Sequence, residues 1–198
     1  MLSFRESMAA ATEAVLSDLE LWIAECARNR VFVHAGCVVI DGQAIVLPGR
    51  SMSGKSSLTA ALVRAGADYY SDEYAVFDNG GLVRPYARRL AMRPHDGAEA
   101  RRVPVEELGG RVGRGPAEVK LIAALRFDPD AGWQSEPLTR GPAVLRLFEN
   151  TVAARSRSRA ALSALEGATL HSCALAGTRG DADEAAARLM SILSGLSG

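Results

Sequence analysis

Residues 43–78 read QAIVLPGRSMSGKSSLTAALVRAGADYYSDEYAVFD, and the order of elements within this stretch decides the fold class. Gly49-Arg50-Ser51-Met52-Ser53-Gly54-Lys55-Ser56 satisfies the pattern G-x-x-x-x-G-K-[ST] at every fixed position. Ala44-Ile45-Val46-Leu47-Pro48 ahead of it is a short apolar run with β-branched residues, the mark of a buried strand. Behind it, Leu58, Ala61, Leu62 and Ala65 fall on one helical face, and Gly66 is a stop signal. A strand, a glycine loop and a helix in that order aim backbone N–H groups and the helix N-terminus at phosphate oxygens. Gly49 to Ser57 are therefore the expected phosphate cradle. Lys55 supplies a point charge and Ser56 a hydroxyl for Mg²⁺. The chain holds only two lysines, Lys55 and Lys120, so retention of one at the motif position strengthens the reading.

Composition sets the outer limits. The chain has 198 residues, enough for one domain with a sizeable core. Lys plus Arg number 23 and Asp plus Glu 23, so no global field favours nucleic acid or a membrane surface. Cys26, Cys37 and Cys173 lie in separate segments and are expected to be small buried hydrophobes in a reducing compartment. No apolar run reaches the roughly 18 to 20 residues of a spanning helix, and the N-terminus lacks a signal-peptide layout. The expected location is cytoplasmic, and homo-oligomerisation is left open.

Working outward, residues 3–28 read as one helix that packs through Leu16, Leu19, Trp22, Ile23 and Cys26. Residues 31–40 read as a strand, with His34 near the edge from which the loop emerges, and Asp41-Gly42 is a hairpin signal. Tyr69-Tyr70 suits a strand ending at Asp72-Glu73, and ligands in open α/β sheets gather at such ends. Leu82 to Tyr86 and Leu90 to Arg93 are short extended pieces, expected to form an antiparallel part of the sheet. Residues 94–118 are rich in Gly, Pro and Arg, and a loop of that length is either a lid or a solvated surface. Val119 to Phe127 is a buried strand ending at Asp128. Residues 141–151 and 155–165 read as helices, residues 168–175 as a strand, and Asp181 as the N-cap of a closing helix.

Phosphoryl transfer needs a metal ligand and a proton acceptor beside the cradle. Two carboxylate sources compete. Asp128 ends an apolar strand as the metal-linked aspartate of ordinary phosphate-loop NTPases does, although an acidic residue before Pro129 also forms turns. Asp72-Glu73 is an adjacent pair, and its mutual repulsion calls for a cation. His34, His95 and His171 have no distinguishing context on their own. A protein that binds nucleotide without turnover is the non-enzymatic alternative.

Taken as an ordered set, His34-Ala35-Gly36, the strand and loop from Gly42 to Ser56, and Gly66-Ala67 leading to Ser71-Asp72-Glu73 resemble the catalytic core of HPr kinase/phosphorylase and its shorter HPr-kinase-like relatives. The resemblance spans residues 31–93. It implies a mixed-sheet α/β core related to that of phosphoenolpyruvate carboxykinase, and an ATP- and Mg²⁺-dependent kinase acting on a hydroxyl. The acceptor would be a serine of a protein or peptide, or a small hydroxylated metabolite, with phosphorolysis as a possible reverse reaction. By position, Asp72 is implied as general base, Glu73 as a second acidic residue assisting Mg²⁺, and His34 as the residue that tunes the catalytic carboxylate. The motif here is His-Ala-Gly. The family's arginine-glycine signature is absent in recognisable form, leaving Arg89, Arg93, Arg111 and Arg114 as candidates for the missing positive charge.

Overall fold

A computed structural model describes residues 4–50, 53–92 and 101–196, without the side chains of residues 4–7, 9 and 10. Ser51, Met52, Arg93 and His95, all named above, lie outside the described residues. In chain order the elements are α1 (Phe4–Cys26), β1 (Val31–Ile40), β2 (Gln43–Pro48), α2 (Lys55–Arg64), β3 (Asp68–Ser71), β4 (Tyr74–Phe77), β5 (Val83–Arg84), β6 (Leu90–Met92), β7 (Arg101–Val103), a 3-10 turn (Val105–Leu108), β8 (Glu118–Phe127), β9 (Gln134–Leu138), α3 (Arg140–Phe148), α4 (Ser158–Ala168), β10 (Cys173–Arg179) and α5 (Ala182–Gly195).

The main sheet runs β5-β4-β1-β2-β8-β10-β9, with β3 on the same edge of β1 as β4. It is mixed: β2-β8 and β8-β10 are parallel, while β1 is antiparallel to β2, β3 and β4. Alternation along β1 sends Val31, Val33, Ala35, Cys37 and Val39 into the core shared with α3 and α4. Val38, with Ile45 and Leu47 of β2, packs on α2 and α5. The result is a sheet covered by helices on both faces. Helix α2 approaches β1 so closely that a side chain at Gly36 would overlap the Thr59 hydroxyl. The end of α2 is set by Gly66, whose N–H donates to the Val63 carbonyl while that of Ala67 donates to Leu62, a Schellman closure.

Four expectations are corrected. Helix α1 does not pack through Leu16, Leu19, Trp22, Ile23 and Cys26, which are all exposed. It docks through the opposite side, where Ala24 is buried with Phe32, Tyr74 and Val76, Glu13 pairs with Arg102 at 2.8 Å, and Glu20 pairs with Arg88. Cys37 alone of the three cysteines is buried. Beyond residue 100, the segment expected to be a lid or a solvated surface loop is tied down instead: β7 pairs β6 in a separate two-stranded ribbon, Val105 is buried, and Tyr69 exchanges backbone hydrogen bonds with Arg111 and Gly113. The last strand begins at Cys173 and runs to Arg179 rather than spanning residues 168–175, because Leu165, Ala168 and Thr169 stay within or cap the end of α4. No helix among the described residues is long and apolar enough to cross a membrane.

Candidate functional site

The site is organised around residues 34 and 35 of β1. On one side Ala35 lies opposite Pro48 at the end of β2, and the Gly49 N–H donates to the His34 carbonyl at 3.2 Å. On the other side β3 and β4 follow one another along the same edge, and the break between them is Asp72-Glu73. The Ala35 N–H donates to the Glu73 carbonyl at 3.1 Å. One strand thus sets the glycine loop and the acidic pair on its two flanks. The acidic turn is fixed by Ser71, whose hydroxyl accepts from the N–H groups of Glu73 (3.2 Å) and Tyr74 (3.0 Å).

The two carboxylates face different ways. Asp72 is 3% exposed. Its Oδ1 accepts from the Tyr69 hydroxyl at 2.8 Å and its Oδ2 from the Ala91 N–H at 3.1 Å, so both oxygens are engaged by protein. The burial and the carboxylate together push the Tyr69 hydroxyl pKa up. Glu73 instead opens into a cleft of about 390 Å³ that His34, Arg50, Leu21 and Glu25 also line. Its carboxylate lies 3.5 Å from His34 Nδ1. The hydrogen bond from His34 holds the Glu73 carboxyl below the usual carboxylate range against the effect of burial, with Lys55 and Arg88 adding to it. His34 also packs on Tyr74, ring centroids 4.8 Å apart.

Lys55 opens α2 and donates Nζ to the Arg50 carbonyl at 2.7 Å, folding back across the loop. Burial depresses its pKa, while Glu73 and Asp72 oppose the shift, so the ammonium sits in the field of both carboxylates. Gly54 has φ +84°, and an added Cβ would come within 2.5 Å of Arg179 Nη2 and 2.9 Å of Phe127 Cβ. A side chain is excluded there on both conformational and steric grounds. Ser56 is half-buried in the first turn of α2 and Ser57 is exposed.

Arg179 was not legible as a site residue. It ends β10, is 2% exposed, and donates to the carbonyls of Gly54 (2.7 Å) and Gly180 (2.8 Å). Its guanidinium lies 5.1 Å from the Phe127 ring centroid. The hydrogen bonds of this buried cation go to backbone carbonyls rather than to a carboxylate, and desolvation lowers its pKa. One of them pins the loop at its left-handed residue. No sequence signal marks it: its place depends on β10 lying next to β8, itself the parallel neighbour of the loop strand, and on that strand running to Arg179 rather than ending at residue 175.

The other candidates are placed as follows. Arg111 bonds Asp68, which pairs with Val39 near the hairpin end of β1, away from the loop. Arg114 and Arg89 are exposed. Arg88 pairs with Glu20, and its charge helps to lower the pKa of Glu73. Asp128 stands beyond the end of β8, and its carboxylate accepts from Arg126 (3.3 Å) and the Asp130 N–H (3.2 Å), closing its own turn. His171 is exposed and lines a different cleft, with Gly80 and Gly167.

The loop fits phosphate by its own chemistry. Ser53 Oγ is buried in it without a hydrogen-bond partner among the described residues, and a Cβ on Gly49 would lie 2.7 Å from that oxygen. No group of three or more His, Cys, Asp or Glu among the described residues forms a metal cage. The Ser56 hydroxyl and the Glu73 carboxylate are oxygen donors of the kind Mg²⁺ takes.

No family model matches the sequence, and no curated protein matches it. Among solved structures, that of the Hpr(Ser) kinase/phosphatase from Coxiella burnetii is similar at 16% identity and a TM-score of 0.40, over 84% of this chain and 99% of that one. At that level the likeness carries no argument, and the functional reading rests on the site.

Proposed function

We propose that this chain is an ATP- and Mg²⁺-dependent kinase that transfers the γ-phosphoryl group to a hydroxyl, a serine of a protein or peptide being the preferred acceptor class. The observation that carries the reading is the junction at residues 34 and 35, where β1 joins the loop of Gly49 to Ser57 directly to the turn bearing Asp72 and Glu73. Phosphoryl transfer depends on positioning and charge neutralisation, and a loop and an acidic turn held on the two flanks of one strand support both.

In this reading the N–H groups of the loop and the N-terminus of α2 hold the phosphates, and Lys55 leaves the Arg50 carbonyl to reach them. Ser56 and Glu73 are the residues that would hold Mg²⁺, which supplies neutralisation of phosphate charge when bound. His34 takes the proton of the acceptor hydroxyl. Glu73, 3.5 Å from Nδ1, orients the ring. Asp72 differs from the general base that the resemblance implies. With both oxygens engaged by Tyr69 and Ala91, it anchors the turn and adds negative potential at Lys55.

The test is titration calorimetry with ATP and Mg²⁺ together with phosphate-release and transfer assays over serine peptides and small alcohols. Lys55→Ala should abolish nucleotide binding. His34→Gln and Glu73→Gln should retain most ATP affinity in the absence of metal and lose transfer. Tight binding with no transfer to any acceptor would leave a nucleotide-responsive binding module instead, and loss of activity in Asp128→Asn alone would assign an ordinary phosphate-loop NTPase.

A further inference from the structure

Helix α1 carries a second pattern that the site does not use. Met8, Thr12, Val15, Leu19, Trp22 and Cys26 follow one another at steps of four, three, four, three and four residues, the spacing of a coiled-coil seam. All six are exposed, as are Leu16 and Ile23 beside the seam; exposure ranges from 38% at Ile23 to 66% at Val15 among the large apolar residues. The body of the protein takes the other side of the helix, through Glu13, Glu20 and Ala24. Scattered surface apolar residues are ordinary, but a heptad-spaced row on one helix has a specific complement, which is another such row.

We infer that α1 is a dimerisation helix, and that its occupant is the α1 seam of a second copy of this chain, packed antiparallel about a two-fold axis. Self-complementarity argues for a second copy, since a two-fold interface sets one surface against itself. Pairing about the seam's midpoint places Met8 opposite Cys26, Thr12 opposite Trp22 and Val15 opposite Leu19, small against large in successive layers. A parallel arrangement would set Trp22 on Trp22 and Thr12 on Thr12. The area is adequate for a modest dimer. From residue 8 to residue 26 the helix rises about 27 Å, and half the surface of a cylinder 10–12 Å across gives roughly 400–500 Å² per copy. Two copies approach the roughly 1,000 Å² at which specific interfaces begin. Asp18 then lies beside its own copy near the axis, which keeps association weak and dependent on concentration.

Analytical ultracentrifugation of the full chain from about 1 to 100 µM, the range of a weak specific dimer, should show a monomer–dimer equilibrium. Leu19→Glu with Trp22→Glu should abolish dimer while leaving ATP binding and the circular dichroism spectrum unchanged. Asp18→Asn should tighten association. In a Met8→Cys variant, mild oxidation should link position 8 of one copy to Cys26 of the other, and Cys26→Ser should remove the link. A monomer at every concentration, a dimer untouched by the double substitution, or a link between the two Cys26 residues in the wild type would overturn the assignment. So would a monomer that binds phosphatidylcholine or phosphatidylglycerol vesicles through the same residues, since the seam would then be a membrane face.

Discussion

Replacing Arg179 by Met is the sharpest perturbation the site offers, because it preserves length and apolar packing while removing two charged hydrogen bonds. Those bonds run to Gly54 at 2.7 Å and Gly180 at 2.8 Å from a residue that is 2% exposed. Hydrogen bonds to charged groups contribute about 1.5–3 kcal/mol each. Part of this is offset because the variant no longer buries a cation. The Gly54 carbonyl also keeps its helical bond from the Leu58 N–H, so it is not orphaned. The expected net loss is about 2–3 kcal/mol of folding stability, or a Tm lowered by about 5–10 °C for a chain of this size. Gly54 would also lose the contact that holds its left-handed geometry, and with it part of the loop's preorganisation. ATP affinity should fall about tenfold, equivalent to about 1.4 kcal/mol. Urea unfolding followed by circular dichroism reads the first quantity, and calorimetric titration of the folded variant reads the second. Arg179→Lys should recover only part of either, since one ammonium cannot span two divergent carbonyls. Unchanged ATP affinity in a destabilised variant would reduce Arg179 to a structural residue, and unchanged stability would refute the hydrogen-bond reasoning altogether.

Other outcomes follow from the same geometry. Tyr69→Phe removes the hydroxyl that bonds Asp72 Oδ1, leaving a buried carboxylate oxygen short of a donor; denaturant melts should register a loss of about 1–3 kcal/mol. Because burial holds the Lys55 pKa down, ATP affinity measured across alkaline pH should decline at lower pH than for an ordinary lysine, with a pKa of about 10.4, and Lys55→Arg should shift that decline upward. The Glu73 carboxyl is depressed by His34, so its contribution to stability is complete above the unfolded value and is lost as pH falls through the folded one. Glu73→Gln should flatten the acid limb of the stability profile below about pH 4.3. Asp128→Asn should leave nucleotide binding and turnover near wild type, since that carboxylate closes its own turn.

The parts of the fold that follow local chemistry were readable in advance. The loop, its strand and helix, the Asp41-Gly42 hairpin, whose two residues take φ 50° and 78°, and the Asp181 cap, which accepts from the N–H groups of Asp183 and Glu184, depend on neighbours in the chain. What failed depends on partners far away. Three- and four-residue spacing places Leu19 and Trp22 on one face of α1 but cannot say whether the domain takes that face. The domain took the other one, because Arg88 and Arg102 receive Glu20 and Glu13 there. The glycines of residues 109–117 read as a lid or a solvated surface loop, yet Gly113 is where the chain passes against Tyr70 and pairs with the Tyr69 carbonyl. In the site, adjacency of Asp72 and Glu73 was visible but their opposite orientations were not. Those are set by Tyr69 and Ala91 on one carboxylate and His34 on the other. Arg179 required the strand order itself.

In the proposed reaction the loop and the His34–Glu73 side of the acidic turn act on one phosphoryl group. A crystal structure with Mg²⁺ and a non-hydrolysable ATP analogue tests it most directly. The β- and γ-phosphates should lie on the N–H groups of Gly49 to Ser57, with Lys55 Nζ moved from the Arg50 carbonyl onto them and the γ-phosphate facing the cleft lined by His34 and Glu73. A nucleotide bound elsewhere, or a γ-phosphate directed at Asp128 with His34 and Glu73 out of reach, would contradict it.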